Sequence, residues 1–255
     1  MSIGPHLLGR TVNHDPRSRA YTVTRRIMKP RNTSWENDAA ILDQGDLGSC
    51  VGNTGAAWLN CKVASYNRSR GTLPGINPKP LRHRVGVRIA ARDHHLTGAP
   101  APQYLHERQA VELYSRATKL DDSTDREYPP VDCGTSALGL AKAMRDAGFI
   151  YGFDWTFSFA DFLAALQNSP VCVGINWTAG MFDPDSKGFV EDTGSLEGGH
   201  ELLARAVNFT HKYVTFRNHW GKDWGVRGEC KMRFEVIERL LAQEGDVLVP
   251  RIMAS

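Results

Sequence analysis

Gln44-Gly45-Asp46-Leu47-Gly48-Ser49-Cys50 runs directly into Val51, Ala56, Ala57, Leu59, Val63 and Ala64, a small and apolar series with a helical trend. A cysteine at that junction starts a helix, where the positive end of the dipole favours thiolate, the form that attacks a carbonyl. Gly198-Gly199-His200 follows 150 residues after Cys50, and Asn218-His219-Trp220-Gly221 begins 18 residues after His200. In chain order these are a nucleophile, a base and a residue to orient the base, with Gln44 as an amide donor upstream.

Each role has a chemical reason. His200 protonates a leaving amine and then activates the water that clears an acyl-enzyme. Asn218 accepts from one imidazole nitrogen and leaves the other facing the sulfur. Gln44, through its side-chain NH₂, and the Cys50 backbone N–H stabilise the oxyanion. Gly48, Gly198 and Gly199 let two backbones approach closely. Cys50 alone reads as a small buried hydrophobe; the ordered set of four is what points to chemistry.

Around these residues the periodicity changes once. Helical spacing covers 50–66, 103–120 and 136–147, the last capped by Thr135 or Ser136 and stopped at Gly148. A short helix is expected over 161–167, then strands at 171–177, 202–209, 213–217 and 228–234, a helix at 235–242 and a strand at 247–249. Trp155, Phe157 and Phe159 alternate like a half-buried strand. Helices first and strands second give an α+β chain rather than alternating βαβ units.

This order and spacing resemble the papain-like cysteine peptidases, over roughly 34–250. Phe216-Arg217-Asn218-His219-Trp220-Gly221-Lys222-Asp223-Trp224-Gly225 is similar to the family's Asn-Ser-Trp-Gly-x-x-Trp-Gly segment. The resemblance implies a helical lobe (34–150), an antiparallel β-barrel-like lobe (151–250) and a cleft between them, within a catalytic domain of 34–255. Cys50, His200, Asn218 and Gln44 would be catalytic, and Trp220 would shield the His–Asn hydrogen bond. Asp132, Cys133, Gly134, Thr135 and Gly199 would line the substrate's backbone. The compact bacterial and phage type, with Asp-Gln-Gly before the nucleophile, is the most similar. Leu47 stands where secreted members have a cysteine, Val51 replaces the usual aromatic, and His219 replaces serine. The stretch before Cys50 is short for the family's inhibitory prodomain, so residues 1–33 are expected to be an extended arm over one lobe.

Composition sets the remaining bounds. Of 255 residues, 41% are hydrophobic and 23% charged, which suits a globular chain with a sizeable core. A net charge of +3 is too small to argue for nucleic acid as the partner. The charge is uneven: between 61 and 100 eight Lys/Arg face one acid, an insertion whose +7 suits an acidic protein partner. Five cysteines without a C-x-x-C pair argue against a disulfide framework and a zinc site, and no cofactor or metal is expected. The absence of an apolar leader or a membrane-length run points to synthesis and residence in the cytoplasm, or to incorporation in a phage particle. The expected activity is a cysteine-type endopeptidase acting on protein or peptide. The alternatives are a peptidoglycan-peptide hydrolase and a phage virion or tail protein that keeps the scaffold.

Overall fold

The structure is a computed structural model and describes residues 7–14, 29–70 and 104–252. The basic insertion therefore lies outside the described residues beyond position 70, as does most of the arm. Strand β1 (Thr33–Ser34) is followed by helix α1 (Cys50–Arg70), α2 (Glu107–Leu120) and α3 (Ala137–Asp146). Then come β2 (Gly152–Thr156), α4 (Phe159–Asn168), β3 (Val171–Thr178), β4 (Leu196–Asn208), β5 (Tyr213–Arg217), β6 (Glu229–Arg233), α5 (Phe234–Ala242) and β7 (Asp246–Arg251).

Helix α1 is the axis of the first half. Its residues 50–61 are all buried, so it shows no polar face, as expected of a helix enclosed on every side. Small residues make this possible. A Cβ on Gly52 would stand 2.7 Å from Tyr114 Cβ of α2, and glycine at 55 admits Leu140 of α3. Trp58 closes the other side by donating its indole N–H to the Pro170 carbonyl at 2.9 Å, just before β3.

The strands form one antiparallel sheet in the order β2-β7-β3-β4-β5-β6, with β1 added beside β4. The barrel-like closure expected from the resemblance is not present among the described residues; the sheet stays open, ending at β2 and β6. Its two faces serve different cores because side chains alternate along a strand. Val171, Val173, Ile175, Leu202, Val247 and Val249 join α4 and α5 in one cluster. Cys172, Leu203 and Leu248 face the other way and join α1 and α3. The helical half thus packs on the back of the sheet as well as beside it.

Asp121, at the end of α2, links three segments. Its carboxylate accepts from Asn13 Nδ2 (2.9 Å), Thr135 Oγ1 (2.9 Å), the Ser136 amide (2.7 Å) and Ser123 Oγ (2.6 Å). Burial alone would raise its pKa, yet these hydrogen bonds hold it down to about 2, below its ordinary 3.8. A depressed carboxylate contributes stability above its unfolded value and loses it as pH falls towards the folded one, here between about 3.8 and about 2. Asp121→Asn should therefore lower unfolding free energy by about 2 kcal/mol at neutral pH. Denaturant titration checks this, and a loss that persists unchanged at pH 2 would contradict the assignment.

Candidate active site

Cys50 is the first residue of α1 and is fully buried. The loop before it is fixed by Asp132, which accepts from the Gly48 amide (2.8 Å) and from Tyr114 Oη (2.6 Å). Across from this loop runs β4, with His200 paired to Ile175 of β3. The helix start and the strand are joined at the next residue, where Thr54 Oγ1 donates to the Glu201 carbonyl at 2.9 Å. The Glu201 backbone amide also hydrogen-bonds the Cys50 sulfur. The sulfur is thus in contact with the residue directly after His200.

His200 directs Nε2 to Asn218 Oδ1 at 3.0 Å. Asn218 follows the last residue of β5, and its position is set by its amide bonding the Gly228 carbonyl at 3.0 Å. Trp220 stacks on the His200 ring, centroids 4.7 Å apart, and Trp177 meets it edge-on at 4.9 Å. Both indoles are buried, so the His200–Asn218 bond is closed off from water.

Gln44 is held by its oxygen. Oε1 accepts from Trp220 Nε1 (3.2 Å) and from His219 Nδ1 (2.6 Å), so Nε2 must face the opposite side. There it donates to Leu47 O (2.6 Å) and to Leu7 O (3.0 Å). His219, a departure from serine in the resemblance, is therefore a fixing residue. Its Nε2 lies 2.9 Å from the Glu201 carbonyl, which sets the ring between Gln44 and β4.

Leu7 belongs to the arm, and the arm lies in the cleft. Sequence reading placed it over one lobe; its described part, Leu7–His14, instead runs between the two halves. The Arg10 amide donates to Gly199 O (3.0 Å), the Thr11 amide to Thr135 O (2.9 Å), and the Thr135 amide to Gly9 O (2.8 Å). Gly9 also hydrogen-bonds the Cys50 sulfur through its backbone. The contact is backbone on backbone, since a Cβ on Gly9 would overlap the Gly48 carbonyl, and one on Gly134 would overlap Gly9 O.

Of the five residues expected to line a peptide backbone, Thr135 and Gly199 bond the arm directly, and Gly134 lies against it. Asp132 fixes the nucleophile loop instead. Cys133 turns its sulfur towards Gly134 O and Arg126 O.

The electrostatics differ from a poised thiolate. Burial pushes the Cys50 thiol up to about 12, and the nearby Glu201 carboxylate adds to this against hydrogen bonds from backbone amides. With the arm in place, burial outweighs the helix dipole. Neutral Cys50 contributes stability below pH 9 that is lost as pH rises towards about 12. Glu201 is also fully buried, and burial together with Asp246 raises its pKa well above the carboxylate range, with Arg10 opposing.

All five cysteines are free. Among the described residues no group of three or more His, Cys, Asp or Glu is arranged to hold a metal ion. No described helix is long and apolar enough to cross a membrane.

No protein-family model matches the sequence, and no curated protein matches it. Solved structures do. A cysteine protease of Xylella fastidiosa, xylellain, superposes over 100% of both chains with a TM-score of 0.59 at 16% identity. The digestive procathepsin L2 of Tenebrio molitor larval midgut covers 97% of this chain and 78% of its own, with a TM-score of 0.50 at 13% identity. The chain has the fold of the papain-like cysteine proteases.

Proposed function

We propose that the chain is a cysteine-type peptidase acting on peptide bonds. The observation that carries this reading is the Gln44 amide. It is oriented through its oxygen by Trp220 and His219 and holds a peptide carbonyl, Leu7 O, in the cleft entered by the Cys50 helix. A donor fixed in advance towards a carbonyl is the requirement for stabilising an oxyanion without reorganisation.

The Cys50 thiol gives its proton to His200 and its sulfur attacks the substrate carbonyl carbon, so that a C–S bond forms while the carbonyl electrons move to oxygen. Gln44 Nε2 and the Cys50 backbone N–H receive that charge. Collapse breaks the C–N bond, with His200 giving a proton to the departing amine. His200 then takes a proton from water, whose oxygen attacks the thioester and frees the acid and the thiol. Asn218 keeps the ring in one orientation through both steps, and Trp220 protects that bond from exchange with solvent.

Alkylation tests the reading. Iodoacetamide should modify Cys50, identified by peptide mapping, and cleavage of a fluorogenic peptide should fall in proportion to the modified fraction. Protein fully modified at Cys50 that cuts at the original rate would exclude the mechanism.

A further inference from the structure

The His219 ring stands between two oxygens that can only accept. Its Nδ1 lies 2.6 Å from Gln44 Oε1 and its Nε2 2.9 Å from the Glu201 carbonyl. The Gln44 amide cannot turn to offer nitrogen instead. Trp220 Nε1, which only donates, meets Oε1 at 3.2 Å, and Gln44 Nε2 already donates to the Leu47 and Leu7 carbonyls. A neutral imidazole has one N–H and one bare nitrogen. It would serve one of the two oxygens and point a lone pair at the other.

Thr54 does not rescue the neutral ring. Its Oγ1 is 3.3 Å from His219 Nε2, but its single proton goes to the Glu201 carbonyl at 2.9 Å. Turning that proton to Nε2 would trade the shorter bond for the longer and leave two lone pairs facing each other at 2.9 Å. His219 and Thr54 are both buried, so bulk water does not relieve the conflict. A ring that carries both protons removes it.

A buried cation is costly unless acceptors and a counter-charge surround it. The two carbonyl oxygens are the acceptors. The titratable groups near the ring on the elements packed against it are Cys50 of α1, His200 and Glu201 of β4, and the exposed Asp43 and Asp46 beside Gln44. Glu201 is the buried acid among them, and both of its carboxyl oxygens lack a hydrogen-bond partner. It stands across Gly174 from Asp246, where a Cβ would lie 2.7 Å from an oxygen of each and overlap Arg10 Nε. Arg10 gives its hydrogen bond to Asp246, at 3.0 Å, and leaves Glu201 without one. A cation bonded to the Glu201 carbonyl favours the ionised carboxyl of the same residue. His200, its ring centroid 5.0 Å away, is the group that a cation repels. That repulsion favours a neutral resting His200, the form that takes the thiol proton.

We infer that His219 is held as an imidazolium and that its charge, acting through the Gln44 amide, strengthens the oxyanion site. The catalytic half of this rests on the peptidase reading. A charged N–H on Oε1 draws the amide electrons towards oxygen and makes the Nε2 hydrogens stronger donors to the developing oxyanion. His219 touches no reacting atom; it is a positioning residue that also supplies charge. The serine of the family's segment could give one neutral hydrogen bond there and no charge.

Long-range proton–nitrogen correlation on nitrogen-15-labelled wild-type protein reads the ring directly, at a pH of about 8, above the ordinary imidazole value of about 6.5. Two ring nitrogens with closely similar shifts of the protonated type are expected. One bare nitrogen, far from its neighbour in shift, overturns the inference. Through-bond correlation to the His219 backbone assigns the signal, so no variant is needed. The catalytic half is read with His219→Gln, which keeps a donor for Gln44 and loses the charge. Its kcat on a fluorogenic peptide should fall at least about tenfold with KM within about twofold, as when a charge-assisted hydrogen bond becomes a neutral one. An unchanged kcat, or a loss carried by KM, overturns it. His219→Ser makes the same comparison if the glutamine variant does not fold. Two protonated nitrogens in a chain that cuts no peptide and is not alkylated at Cys50 would keep the charge at His219 and lose the peptidase reading.

Discussion

A Cys50→Ser protein should cleave no peptide at a measurable rate, a loss of at least about 10⁴-fold in kcat. The hydroxyl is a far weaker nucleophile than a thiolate and cannot be activated by the same imidazole to a comparable extent. The fold should survive, since serine differs by one atom and Cys50 sits at a helix start that tolerates a hydroxyl. Turnover is read by steady-state hydrolysis of a fluorogenic peptide, with far-UV circular dichroism to verify folding. Unchanged turnover in the folded variant would place the chemistry elsewhere.

The second large effect runs the other way. Gly9→Ala should raise both peptide turnover and the rate of Cys50 alkylation by at least about tenfold. The added methyl would overlap the Gly48 carbonyl, a backbone atom of the nucleophile loop that cannot swing aside. The arm then has to leave, taking with it the contact to the Cys50 sulfur and the Leu7 carbonyl on Gln44. Opening the site to water lowers the thiol from its present value of about 12, and more thiolate is available at neutral pH. Stopped-flow alkylation of wild type and variant makes the comparison. Equal rates would mean that the arm does not restrain the thiol.

The four candidate catalytic residues stand out in the sequence because each lies beside a local signal. Cys50 opens a helix, glycines precede His200, and Asn218 and Gln44 sit at the turns that end or begin elements. The switch from helical to alternating periodicity gave the α+β order for the same reason. Boundaries were less legible. Helix α4 begins at Phe159 rather than 161 because Ser158 caps it, accepting from the Asp161 amide, and that Ser-x-x-Asp signal was present in the sequence. Strand β4 starts at Leu196, six residues before the expected edge, because Gly198 and Gly199 are poor strand formers on propensity yet pair with β3.

The arm was misplaced for a different reason. Leu7 to His14 has no periodic pattern; where it crosses Gly134, Thr135 and Gly199 it is held by backbone groups, and its side-chain partners Asp121 and Asp246 lie more than 100 positions away, so neither leaves a local signal. Glu201 and Asp246 were not singled out, since a carboxylate in a strand reads as solvent-facing until register shows what it opposes. His219 was noted only as a departure from serine. Its bond to Gln44 spans 175 positions of sequence, beyond any local pattern.

The register that places Gly174 between Glu201 and Asp246 also fixes how far apart the two carboxyl groups around Arg10 stand. The backbones that carry them are two inter-strand spacings apart, about 9.5 Å, and ladder hydrogen bonds hold that distance regardless of what surrounding loops do. Insertions and deletions in loops leave that spacing unchanged. The seat of Arg10 is therefore set by three rungs alone: the missing side chain at 174 gives its depth, and 246 and 201 give its polarity.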